Sequence, residues 1–181
     1  MEGVGMEEIL RLAESASVDL LEEKKSLHEI LEECRNIARS LKISDETSWI
    51  DLELNGYLVK YKTRDQLYDS LPDYRKTAWK FYDLYGNAVS LPADILDLFG
   101  KSTVYHSIGD LENSSQVVIG AQFLEKFNRF IAEHGMDYPS KNIRIHEAKI
   151  HKQEIDQVLE GAKNRAQQFL DLVISILEFA K

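Results

Sequence analysis

Residues 44 to 75 constrain the fold more than any other stretch, because one short run holds both a helix stop and the opening of a second segment. Trp49, Leu52 and Gly56 are spaced for one helical face, and Glu53 and Tyr57 lie one turn apart beside it. Gly56 reads as the left-handed residue that ends this helix. Pro72 then fixes the backbone ahead of Tyr74 and Arg75. The stretch predicts a helix end docked on an incoming strand. Its residue chemistry alone specifies no reaction.

Before this joint, residues 6 to 21 place Ile9, Leu12, Ala13 and Ala16 at helical spacing. Ser26 and Glu29 form a capping box, and Leu27, Ile30, Leu31, Cys34, Ile37, Ala38 and Leu41 then hold one stripe. Ser44 or Asp45 is expected to cap the third helix. Short connections make these three helices an antiparallel cluster.

Residues 58 to 70 lose periodicity and read as a loop or a short irregular helix. From Thr77 the period shifts toward two, with Trp79 and Phe81 opposite Lys80 and Tyr82. Gly86 and Asn87 supply a turn, and Val89 and Leu91 begin the returning strand of a hairpin. Pro92 opens a short helix through Ile95, Leu98 and Phe99 to Gly100. Ser102 is expected to cap another, carrying Val104, Ile108 and Leu111.

The spacing predicts helix again from Gln116, through Val117, Ala121, Leu124, Phe127 and Ile131, until Gly135. After a loop over 137 to 142, alternating Ile143 and Ile145 predict a third strand beside the hairpin. The final helix, 152 to 180, carries Ile155, Val158, Leu159, Ala162, Ala166, Phe169, Val173, Ile176 and Leu177 inward. Leu170, Leu172, Ile174 and Phe179 widen its apolar surface, so the rest of the domain or a partner must bury it. The expected architecture is α+β and mainly helical. An N-terminal helix cluster and a long C-terminal helix pack around a small antiparallel sheet, with residues 1 to 181 as one domain.

Twenty-two basic against 31 acidic side chains leave a net charge of -9, which argues against broad binding to nucleic acid. One cysteine, Cys34, excludes an intramolecular disulfide framework and any multi-cysteine zinc site. It reads as a small buried hydrophobe. His28, His106, His134, His146 and His151 show no zinc spacing, and no Gly-rich phosphate loop or dinucleotide fingerprint occurs. No metal and no cofactor is expected. The N-terminus lacks a signal-peptide core, and the run from 169 to 180 is too short and too charged to span a bilayer. A cytoplasmic protein without membrane insertion follows.

Two sets of side chains stand out. Glu53, Tyr57, Tyr74 and Arg75 read either as a buried ion pair with tyrosine hydroxyls capping backbone around Gly56, or as a pocket in which Arg75 holds a phosphate or carboxylate. Lys60, Lys62, Arg64, Lys76 and Lys80 form a locally basic run with Tyr57, Tyr61, Tyr68 and Tyr74 interleaved. Basic residues with stacking aromatics are what single-stranded RNA or DNA requires.

The run Trp49, Ile50, Asp51, Leu52, Glu53, Leu54, Asn55, Gly56, Tyr57, followed by Leu71, Pro72, Asp73, Tyr74, Arg75, resembles the hallmark of AbiTii domains. Ala38, Arg39, Ser40 and Leu41 match its preceding helix end. The segment from Ser107 to Glu112 and the helix around Val158 to Arg165 resemble its later elements, with Lys163 where arginine is expected. The resemblance spans nearly the whole chain. It implies a part in prokaryotic abortive-infection defence against phage, and it brings no catalytic set.

Two functions follow. The first is a non-enzymatic interaction or assembly module that works alone or with separately encoded partners, through self-association or a partner on the C-terminal helix. The second is a small toxin-like RNase or nucleic-acid-binding effector using residues 57 to 80.

Overall fold

The computed structural model describes residues 5–60, 68–77, 79–91, 104–134 and 144–180. The fold is α+β and mainly helical. Helices α1 (Met6–Leu21), α2 (Leu27–Ser40) and α3 (Ser44–Asn55) follow one another through short connections. Strands β1 (Lys80–Tyr82) and β2 (Ala88–Val89), helix α4 (Ile108–Glu112), strand β3 (Gln116–Val118), helix α5 (Ala121–His134), strand β4 (Glu147–His151) and helix α6 (Lys152–Phe179) follow among the described residues.

The main core lies where the N-terminal helices meet α6. Ile9, Leu10, Ala13, Ala16 and Leu20 of α1 and the stripe of α2 pack on Ala162, Ala166, Phe169, Leu170, Val173 and Leu177. Alanines at 13, 16, 162 and 166, none of them exposed, let the helix axes approach closely. Leu12 and Ile176, expected inward, are half exposed, and Leu10 and Leu170 are buried instead. Period alone leaves the rotation of a helix uncertain by about one residue.

The four strands are antiparallel in the order β2-β1-β4-β3. Register sets Phe81 opposite Ala148, and Val117 opposite Ile150, so these four share one face. Leu124 and Phe127 of α5 cover one part of it, Val104, Leu111 and the start of α6 the other. The hairpin is present, and its turn is held by Asp83, which accepts from the backbone of Tyr85 and Asn87, with Gly86 at φ 79°.

Several local expectations are corrected. Neither Ser44 nor Asp45 caps α3: Ile43 takes that place with no side-chain cap, because its N–H still closes α2 by donating to Ala38 O (2.9 Å). Gly56 has the positive φ expected, 81°, but with ψ 155° it is extended rather than left-handed helical. Gln116–Val118 is a strand, not a helix start, because two adjacent valines find a ladder partner in β4. The helix after Val104 begins only at Ser107, whose hydroxyl accepts from Asp110 N.

The third expected strand, β4, starts at Glu147 and is central. Residues 57–59 form a single 3-10 turn of the irregular stretch. The expected helix over 92–100, the cap at Ser102, the stop at Gly135 and the loop over 137–142 lie outside the described residues.

Candidate functional site

Glu53 sits on the last turn of α3 with no exposed surface, and partners from its own neighbourhood and from a later turn converge on it. Its Oε1 accepts from Tyr57 Oη (2.5 Å) and Tyr74 Oη (2.7 Å), and its Oε2 accepts from Arg75 Nη2. Tyr57 reaches it one turn on, across the break that Gly56 makes. Tyr74 and Arg75 arrive on a 3-10 turn, Asp73–Arg75, that Pro72 opens. Trp49, one turn before Glu53, donates its indole N–H to Tyr74 Oη (3.0 Å).

Arg75 is also fully buried. Its Nη1 donates to the carbonyls of Val104 (2.9 Å) and His106 (2.6 Å), and its guanidinium lies 5.0 Å from the Tyr57 ring centroid. Burial, followed by the charge of Glu53, pushes both tyrosine hydroxyls above their ordinary range, which keeps them as donors. The carboxylate thus has a donor on each oxygen, and neither charged group meets solvent. The hydroxyls bond the carboxylate rather than capping backbone around Gly56. It is Arg75 that satisfies backbone carbonyls.

Gly56 is where the 104–106 segment comes closest. Tyr57 N donates to Tyr105 O (2.9 Å), and a Cβ on Gly56 would lie 3.0 Å from that same oxygen. On the far side, Arg165 of α6 stands over the Trp49 ring at 4.2 Å, and Gly161 lies against Tyr74. Asn55 is not part of this cluster: it is exposed and donates to Asp51 O (2.7 Å). Sequence reasoning missed the carbonyls of Val104 and His106, since a backbone acceptor leaves no trace in residue identity. It also gave no role to Glu112, which accepts from the N–H groups of Leu27 (2.6 Å) and His28 (3.2 Å) and so joins α4 to the start of α2.

The basic run does not converge on one surface among the described residues. Lys76 pairs with Asp73 (2.8 Å) and lies over the Tyr68 ring, while Lys80 pairs with Glu154 of α6 (2.7 Å). Lys60 is exposed and lies 3.5 Å from Ser48 Oγ. Lys62, Arg64 and Tyr61 lie outside the described residues. Lys60 instead borders a groove of about 720 Å³ along α3, shared with Arg39, Lys42, Thr47, Ser48 and Leu52. Among the described residues no three His, Cys, Asp or Glu side chains gather as a metal site, and no helix is long and apolar enough to cross a membrane.

Fold and site together define a helix-rich α+β protein whose helices, 72–75 turn and sheet-side segment meet at one buried carboxylate–guanidinium centre. The family model of AbiTii matches residues 11–176, and the chain belongs to the AbiTii family. Membership points to a role in abortive-infection defence. No curated protein and no solved structure matches the chain.

Proposed function

We propose that the chain is a non-enzymatic interaction module of a prokaryotic antiphage defence system, working in the cytoplasm as one AbiTii-like unit. The observation that carries this reading is a ridge on the last turns of α6. Leu172, Ile176 and Phe179 follow at i, i+4 and i+7 and are 56%, 55% and 95% exposed. An apolar ridge on a helix that already buries its opposite face in the core marks a contact surface. The Glu53–Arg75 centre supports the same reading from the other side: its carboxylate and guanidinium are shielded and bonded to each other, with Arg75 Nε the one buried donor of the pair left without a partner, which suits holding three chain segments together better than turning over a substrate.

The nuclease or nucleic-acid-binding alternative has less support, because Lys76 and Lys80 are engaged with carboxylates. The test is phage challenge of cells carrying the gene in its native neighbourhood. Ile176→Glu with Phe179→Glu is expected to abolish protection while the purified variant keeps the wild-type melting temperature. Full protection by that folded variant would overturn the reading.

A further inference from the structure

We propose that the groove along α3 receives the last two turns of α6 from a second copy of this chain. This rests on the reading of the α6 ridge as a contact surface and adds what the ridge contacts. The groove has an apolar floor at half-buried Leu52, and its lining carries Arg39, Lys42 and Lys60 with a single carboxylate, Asp51, which Arg39 holds at 3.2 Å. That is a local excess of positive charge in a chain of net charge -9.

The ridge is its complement. Leu172, Ile176 and Phe179 are flanked by exposed Asp171 and Glu178. Three apolar anchors over seven residues span roughly 10 Å of helix, and α3 offers roughly 18 Å of groove wall. Two ridges facing each other would bring like charges together, so the charge pattern selects the groove over ridge-to-ridge pairing.

Geometry permits the exchange to close. Lys163 pairs with Glu23 (2.9 Å) and Gln167 with Ser17 (2.8 Å), so α6 runs antiparallel to α1. The ridge therefore stands at the end of the bundle where α1 begins and α2 hands over to α3, which is where the groove opens. A ridge and a groove at the same end of the bundle allow two copies to exchange them about a two-fold axis.

The experiment uses the full chain. Wild type at roughly 100 µM is expected to scatter light with the mass of a dimer. Ile176→Glu with Phe179→Glu, and separately Lys42→Glu with Lys60→Glu, are each expected to scatter as monomers with unchanged melting. A mixture of Phe179→Cys and Ser48→Cys chains is expected to form a disulfide between the two, with Cys34 buried and silent. A monomeric wild type overturns the proposal and leaves the phage challenge to decide the interaction reading. Dimers that survive the lysine changes, or Phe179→Cys chains that crosslink only to themselves, also overturn it while the ridge stands as an interface.

Discussion

Gly161 of α6 lies directly against Tyr74: a Cβ there would overlap Tyr74 Cβ and Cγ. The turn that delivers Tyr74 and Arg75 to Glu53 is therefore seated on a helix that must lack a side chain at that point. Gly161→Ala should gain about 1 kcal/mol of helix propensity and lose more through displacement of Tyr74. We expect a net destabilisation of up to about 2 kcal/mol, since overpacking typically costs about 1–3 kcal/mol. Urea denaturation reads this directly. An unchanged or raised midpoint would show that the turn shifts freely.

Removing one member of the buried pair should be far worse than removing both. Glu53→Gln leaves the Arg75 guanidinium buried without its counter-charge, a loss of about 3–5 kcal/mol. Glu53→Leu with Arg75→Met should recover part of that loss. Recovery stays incomplete because the carbonyls of Val104 and His106 lose their donor. If the double variant proves less stable than the single one, the account of the pair is wrong.

His106 should make stability depend on pH. Burial holds its imidazole below the ordinary 6.5; Asp110 opposes this, and the nearby Arg75 charge adds to it. The unfolded chain binds the proton first as pH falls through 6.5. The stability contributed is therefore complete above 6.5 and is lost below it, until the folded imidazole also titrates. Replacing the side chain, as His106→Asn, should flatten the stability profile between about pH 5 and 7. An identical profile for the variant would assign the acid sensitivity to other groups.

Cys34 should be inert while the protein is folded. It has no exposed surface, and burial, with the charge of Glu33 adding to it, pushes its thiol up to about 12. The thiolate is the reactive form, so labelling by a thiol reagent should be slow at neutral pH and should accelerate only with denaturant. Rapid labelling without denaturant would reveal local opening of α2.

Much of the fold is legible in the sequence where the signal is local. The Ser26–Glu29 box occurs as read, with Glu29 N donating to Ser26 Oγ and Ser26 N to Glu29 Oε2, and the helix it starts keeps its stripe. The hairpin turn and the long final helix are equally local. Glu53, Tyr57, Tyr74 and Arg75 are legible as a group, because their residue types invite a paired charge with hydroxyl partners.

Elsewhere local signals mislead. Val117 fits a helical stripe on paper and becomes strand only because Ile150 lies across from it, 33 residues further along the chain. The rotation of α6, and so the ridge at Leu172, Ile176 and Phe179, depends on which face the N-terminal helices cover.

What the sequence determined by itself is the N-terminal helices and the long final helix, the Ser26–Glu29 cap and the set of side chains at the joint, since those rest on contacts within a turn or two. Only the tertiary structure decided what Arg75 holds. Its donors end on carbonyls 29 and 31 residues away, and such partners are chosen when the whole chain closes around a charge that must not be left unpaired.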